Sequence, residues 1–248
     1  MRIGIQLYSI PEDYNRNYLS TLKSLASMGY EGVEFAFSFG KADPGKLAGC
    51  LEDEGLKAVG IYSDGINRLF DGSDDIYVRK ARLGYRYVTV GTPDMIKEWD
   101  LAIKTIERAG EEARRAGMTL LYHNHVPEVG PANIVTPMSM LSERADRDLV
   151  RFELDTHFIS RAGGDPVEWL EKFRGRVPLL HCKDINRDGS VAEAGEGILD
   201  MDAICRKAGE TGVEWLIVEF SDIRERKPME SARICIENIV RHKGGIKT

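Results

Sequence analysis

Four short apolar runs in this chain end in residues able to bind a metal or move a proton: Leu121-Tyr122-His123-Asn124-His125, Glu153-Leu154-Asp155, His181-Cys182-Lys183-Asp184 and Val218-Glu219. Side chains alternate faces along an extended strand, so His123 shares a face with His125, Glu153 with Asp155, and His181 with Lys183. If those faces turn toward one axis, two imidazoles and three carboxylates converge on a single point. Mixed nitrogen and oxygen donors of this kind suit Mn²⁺, Zn²⁺, Co²⁺ or Fe²⁺ better than Ca²⁺. The expected ligands are His123, Asp155, His181 and Glu219. A cation so held is a Lewis acid beside groups that can take or give a proton.

The elements that must position these residues alternate along the whole sequence. Strands are expected over Arg2 to Tyr8, Gly32 to Phe35, Lys57 to Tyr62, Tyr87 to Val90, Thr119 to Asn124, Val150 to Asp155, Val177 to Lys183 and Glu214 to Glu219. Helices are expected near 17–28, 43–54, 74–83, 97–116, 136–145, 165–173, 200–209 and 228–242. Gly29, Gly55, Gly84, Gly117 and Gly212 each follow the end of an amphipathic segment, as a helix C-terminus requires. Eight such units in 248 residues fit a single (β/α)8 TIM barrel, for which about 250 residues is typical. An open doubly wound sheet is the alternative. No G-x-G-x-x-G follows the first strand, however, and the polar residues end many strands rather than gathering at one switch point.

Composition narrows the partners. A net charge of −6, with no basic stripe, argues against a nucleic-acid backbone as ligand. No window approaches a membrane span, and MRIGIQLYSI lacks the apolar core of a signal peptide. Cys50, Cys182, Cys205 and Cys235 are far apart, as expected of reduced thiols in a cytoplasmic protein. Neither nucleic acid nor membrane is expected as a partner, and a homo-oligomer is left open.

Several segments carry a further signal in the right order: IGIQLYS at the start, GYEGVEF at the second strand, YHNH at the fifth, and FELD followed by RAGGDP at the sixth. PLLHCKD at the seventh, the loop GEGILD, and VEWLIVEF at the eighth complete it. On these the chain resembles the xylose isomerase-like superfamily, and within it the sugar phosphate isomerases/epimerases. The resemblance implies a divalent metal held at the ends of strands five to eight by Glu, Asp, His and Glu. Asp155, His181 and Glu219 match the last three. His123 stands where the ketose epimerases have the first Glu. The Y-H-x-H strand and the G-x-G-x-x-D loop also look like inosose dehydratase, another member of the superfamily.

The imidazole leaves two negative charges in the ligand set instead of three, so a bound cation is neutralised less and is the stronger Lewis acid. It also removes one base from a family whose epimerases use carboxylates on both sides of the sugar. A second proton carrier then comes from Glu153, Glu128, His125 or Lys183. The leading expectation is a metal-dependent isomerase or epimerase of a small sugar, with Glu219, Glu153 and Lys183 catalytic. Its competitor is a lyase or dehydratase on a keto-sugar or keto-inositol, which needs one base and one acid. A metal-free sugar-binding barrel is the third reading. Contacts to the expected substrate, a small sugar or polyol, are assigned to Gln6, Glu34, His125, Arg161 and Glu196. His157 sits beside the D-x-x-H position of the family and is not taken as a ligand. Trp99, Trp169 and Trp215 are expected in packing, Arg224 to Lys227 in a solvated loop, and the final KGGIKT as a frayed tail. A DNA repair endonuclease shares the fold but needs metal ligands on earlier strands, and no histidine precedes His123.

Overall fold

The runs of β-branched and apolar residues pair in parallel as β1 (Arg2–Gln6), β2 (Gly32–Ala36), β3 (Lys57–Ser63), β4 (Tyr87–Val90), β5 (Thr119–His123), β6 (Val150–Asp155), β7 (Leu179–Cys182) and β8 (Trp215–Val218). β1 pairs with both β2 and β8, which closes the sheet into a barrel and excludes the open alternative. This computed structural model describes residues 1–36, 42–63, 65–70, 75–91, 99–221, 223 and 226–244.

Around the barrel lie α1 (Pro11–Arg16), α2 (Tyr18–Met28), α3 (Pro44–Asp53), α4 (Asp75–Leu83), α5 (Trp99–Arg115), α6 (Pro137–Arg144), α7 (Thr156–Arg161), α8 (Pro166–Lys172), α9 (Met201–Thr211) and α10 (Pro228–Gly244). Their starts are written in side chains: Asn17, Asp43, Thr136, Asp165 and Asp200 each accept a backbone N–H of the first turn. No helix among the described residues is long and apolar enough to cross a membrane.

Three expectations are corrected. β1 ends at Gln6 because Leu7–Ser9 turns into a 3-10 helix. β7 begins at Leu179 rather than Val177, since Pro178 has no N–H for the ladder. Arg226 is not simply solvated, for it pairs with Glu193 at 2.8 Å. Arg224, Glu225 and residues 245–248 lie outside the described residues, as do the expected helix starts at 74 and 97. The short helices α1 and α7 and the hairpin of Asp184–Ile185 with Val191–Ala192 had no counterpart in the sequence reading.

Two apolar regions hold the barrel. Outward side chains such as Leu120, Tyr122, Phe152, Leu154, Leu180 and Val218 pack under the helices. Inside, Val59, Tyr87, Leu121, Leu179, Trp215 and Ile217 form a separate plug. Trp169 and Trp215 are core residues, as expected. The plug's large rings need space, and the first strands supply it by lacking side chains. A Cβ on Gly32 would lie 2.8 Å from the Trp215 ring and 2.8 Å from the Lys57 carbonyl oxygen; one on Gly60 would lie 2.9 Å from the Tyr87 carbonyl oxygen. Gly32→Ala therefore overpacks the barrel floor. We expect a loss of about 1–3 kcal/mol in urea denaturation; an unchanged midpoint and slope would contradict this packing.

Candidate metal and substrate site

Two residues along each strand from the plug, the inward positions become polar: Leu121 gives way to His123, Leu179 to His181 and Ile217 to Glu219. Gln6, Glu34, Glu153 and Asp155 join them, and all are buried. Strand register sets their neighbours. His123 is opposite Glu153 across β5 and β6, and Asp155 is opposite His181 across β6 and β7.

His123, Asp155 and His181 present ligand atoms that all lie within 4.8 Å of one another. His181 Nδ1 is 3.0 Å from Glu219 Oε2, which brings the fourth expected ligand to the same point. The His123 and His181 rings are 4.8 Å apart between centroids.

Further groups hold these side chains in place. Asp155 caps α7: its Oδ1 accepts the Phe158 N–H at 2.9 Å, while its buried Oδ2 has no hydrogen-bond partner. The cap thus commits one oxygen to the backbone and turns the other inward. The Thr156 hydroxyl lies 2.7 Å from the Lys183 carbonyl oxygen and accepts the Lys183 N–H at 3.0 Å, tying the ends of β6 and β7 together. On the far side of His181, Nε2 donates to Glu34 Oε2 at 2.9 Å, and Gln6 Nε2 donates to the same oxygen at 3.0 Å. His181 Nδ1 is left facing the cluster. A ligating histidine is held in this way when its second nitrogen is occupied by a carboxylate.

Burial and neighbouring charge set the protonation. Burial, seconded by the charge of His181, lowers His123 to about 3. Burial and His123 lower His125 to about 4. Both imidazoles are neutral at pH 7. Asp155 is raised to about 6, by burial first, with the Glu219 charge adding and Lys183 opposing. Glu34 is raised to about 7 by burial and then by the charge of Glu153. His181 moves upward: burial opposes its charge, and the Glu153 and Glu34 carboxylates outweigh it. Lys183 likewise rises, the Glu219 and Asp155 carboxylates overriding burial. Glu219 is held low despite burial, because His181 and Lys183 favour its charged form.

These donors fit a divalent cation. His181 Nδ1 and Asp155 Oδ2 are buried without a hydrogen bond of good geometry, an arrangement that costs free energy unless something else engages them. The set of two neutral-capable imidazoles and two carboxylates is that of a transition-metal or zinc site.

A cavity of about 200 Å³ opens on this cluster, lined by Gln6, Tyr8, His123, His125, Lys183 and Glu219 among others. Lys183 Nζ donates to Glu219 Oε1 at 2.8 Å and lies 4.8 Å from the Phe158 ring centroid. Tyr8, Tyr62, Phe158 and Ser221 also line the cavity and were missed in the sequence. Ser221 was recoverable, since it lies two residues beyond Glu219, but Phe158 was not. It occupies the third position after Asp155, and His157 instead turns away to the Asp184 carbonyl oxygen at 3.2 Å. Gly91 matters here by close approach: a Cβ on it would lie 2.2 Å from the Tyr62 hydroxyl oxygen and 3.0 Å from His125 Cε1.

Other expected site residues lie elsewhere. Glu34 and Glu153 do not line the cavity; both are fully buried against His181. Glu128 is buried and accepts the His125 N–H at 2.9 Å. Arg161 is exposed and outside the cavity, because α7 carries it away from the strand ends. Glu196 is also outside, accepting from Asn238 of α10 at 3.2 Å. Its loop has a structural reason. The Asp184 carboxylate accepts the N–H groups of Gly195, Gly197 and Leu199 at 3.0–3.1 Å, and a Cβ on Gly197 would lie 2.3 Å from Asp184 Oδ1. The two glycines let the backbone wrap a buried carboxylate.

Comparisons with known proteins agree with this architecture. Residues 22–238 match the family described as xylose isomerase-like TIM barrel. An inosose dehydratase from Lacticaseibacillus casei is 26% identical over 155 residues, covering 54% of this chain and 51% of that protein. The matched part is thus about half the length of the curated relative. Among solved structures, a sugar phosphate isomerase/epimerase from Parabacteroides distasonis is 21% identical with a TM-score of 0.82, covering 97% of this chain and 94% of that one. The IOLI protein with a bound zinc atom is 15% identical with a TM-score of 0.81, covering 100% of each chain. At these identities the structures share the fold.

Asp155 must lose its proton before it can hold a cation, whereas His123 stays neutral down to about pH 3. Affinity for Mn²⁺ is therefore expected to fall as pH drops from neutral through about 6, with proton release on binding across that range, because His181, raised against burial by the Glu153 and Glu34 carboxylates, must also free its Nδ1. Calorimetric titration in buffers of different ionisation enthalpy measures both. A pH-independent affinity would contradict the ligand assignment.

Proposed function

This chain belongs to the xylose isomerase-like TIM barrel family, and on that premise we propose that its cavity removes the proton beside a carbonyl of a small keto-sugar or keto-inositol and eliminates the β-hydroxyl as water. One observation carries this reading. Glu219 is the sole carboxylate lining the cavity among the described residues, and it is bridged at 2.8 Å to the buried Lys183. One base and one acid side by side suit an elimination, in which a proton leaves one carbon and a protonated hydroxyl leaves the next. Two-sided epimerisation needs a second proton carrier across the substrate. The lining also includes His123 and His125, both held neutral by burial, and Glu153 is enclosed behind the cavity.

In this scheme Glu219 takes the α-proton, and Lys183 supplies a proton to the departing hydroxyl. Gln6, His125 and Tyr62 bind the remaining hydroxyls. Phe158 covers the Lys183 ammonium and keeps water from it. His123, Asp155, His181 and Glu219 would hold a divalent cation, which when bound supplies a Lewis acid for the substrate carbonyl. The volume of about 200 Å³ restricts the substrate to one small ring, below the roughly 300–1,000 Å³ of larger ligand sites. Inosose dehydratase, the name of the curated relative, is of this reaction class.

Isomerisation is the second reading. A single carboxylate can take a proton and return it to the adjacent carbon on the same face, and the structural relative from P. distasonis is named an isomerase/epimerase.

The two separate cleanly in D₂O. Metal-loaded protein is incubated with a panel of keto-sugars and keto-inositols, and products are read by NMR. Elimination is expected, with Glu219→Gln lowering kcat by about 10²–10⁴-fold. Deuterated product that has lost no water would favour isomerisation. Turnover unaffected by Glu219→Gln would contradict both schemes.

A further inference from the structure

Glu153 is the buried group whose surroundings the proposed chemistry leaves unexplained. It sits on β6 between the two strands that supply histidines, in register with His123 on β5. Its Oε2 is 3.7 Å from His123 Nδ1, and its Oε1 is 3.2 Å from His181 Nε2. Neither oxygen has a hydrogen-bond partner of good geometry, and His123 Nδ1 is also buried and unpartnered. An unpaired donor and an unpaired acceptor therefore face each other across a gap slightly longer than a hydrogen bond. Each is otherwise costly to bury, so closing that gap by under 1 Å satisfies both.

We infer that Glu153 is a positioning residue, one carboxylate serving two imidazoles, rather than a group that exchanges protons with substrate. Its Oε2 accepts from His123 Nδ1–H, which turns His123 Nε2 toward the cavity as the free donor atom. Its Oε1 backs the Nε2 edge of His181 together with Glu34, which leaves His181 Nδ1 for the cation. The arrangement also places a third negative charge directly behind the ligands without occupying a coordination position. Carboxylates placed behind ligating histidines in this way fix the tautomer and raise ligand basicity, and their removal typically costs about 10–100-fold in metal affinity.

This inference rests on the metal-binding reading above, and the test separates the two. Zn²⁺ affinity of the full chain is measured by chelator competition for the native protein, E153L and E153Q. In parallel, two-bond ¹H–¹⁵N correlations of ¹⁵N-histidine-labelled, zinc-loaded protein report which ring nitrogen of each histidine carries the proton. The native protein is expected to bind one Zn²⁺ and to show His123 protonated at Nδ1 and His181 at Nε2. E153L is expected to bind at least tenfold more weakly, with the His123 ring nitrogens averaged or reversed. E153Q has one acceptor for two rings and is expected to fall between, which keeps the test informative if E153L does not fold. Unchanged affinity together with an unchanged nitrogen pattern in a folded variant would overturn the inference. So would a native stoichiometry of two Zn²⁺ that drops to one in E153Q, since Glu153 would then be a ligand of a second ion. A native protein that binds no Zn²⁺ would overturn this inference and the metal reading alike.

Discussion

Four carboxylates buried around one histidine and one lysine are the constraint on which the rest of this barrel depends. Glu34, Glu153, Asp155 and Glu219 all approach His181 or Lys183, and none is more than slightly exposed. Ionised carboxylates so close together in a medium that water does not enter are unfavourable unless positive charge compensates them. In the absence of a cation the compensation comes from protons, which is why Asp155 and Glu34 are raised to about 6 and about 7. A divalent cation is the other solution. Binding one exchanges protons for metal, so the site's affinity and its protonation are a single equilibrium.

The fold supports that concentration of charge by changing polarity at one level of the barrel. Below it, Tyr87, Leu121, Leu179, Trp215 and Ile217 fill the interior, and glycines on the first strands make room for the rings. Above it, every strand from β5 to β8 turns an ionisable group inward. The plug closes the barrel below the cluster, while the cavity opens on it from above. Precision comes from hydrogen bonds made behind the cavity and at its wall. Asp155 is oriented by capping α7, Lys183 by Thr156, and His181 by Glu34 and Gln6.

Much of this was legible in the sequence because strand alternation and strand ends are local properties. His123, Asp155, His181 and Glu219 were readable as a convergent set from face alternation alone, and the β/α rhythm with its terminating glycines indicated the barrel. Depth was not legible. Alternation says that Glu153 and Asp155 share a face, but their separation into a buried level and a ligand level follows from the stagger of β6 against β7, where Glu153 lies opposite Leu179 and Asp155 opposite His181. Glu34 was read as a sugar contact for the same reason. Arg161 and Glu196 follow strand ends in sequence, yet a short helix and a loop wrapped around Asp184 carry them away from the cavity. That Phe158 lines the cavity depends on which side of α7 faces the barrel, and so short a helix contains too few residues to show that as a pattern.

Zinc K-edge X-ray absorption of the zinc-loaded chain addresses the convergence of these side chains most directly. The account requires a shell of mixed nitrogen and oxygen donors at about 2.0–2.1 Å, with the outer-shell scattering of two imidazoles, and loss of half that scattering in His123→Ala. An all-oxygen shell, or a spectrum that His123→Ala and His181→Ala leave unaltered, would contradict it.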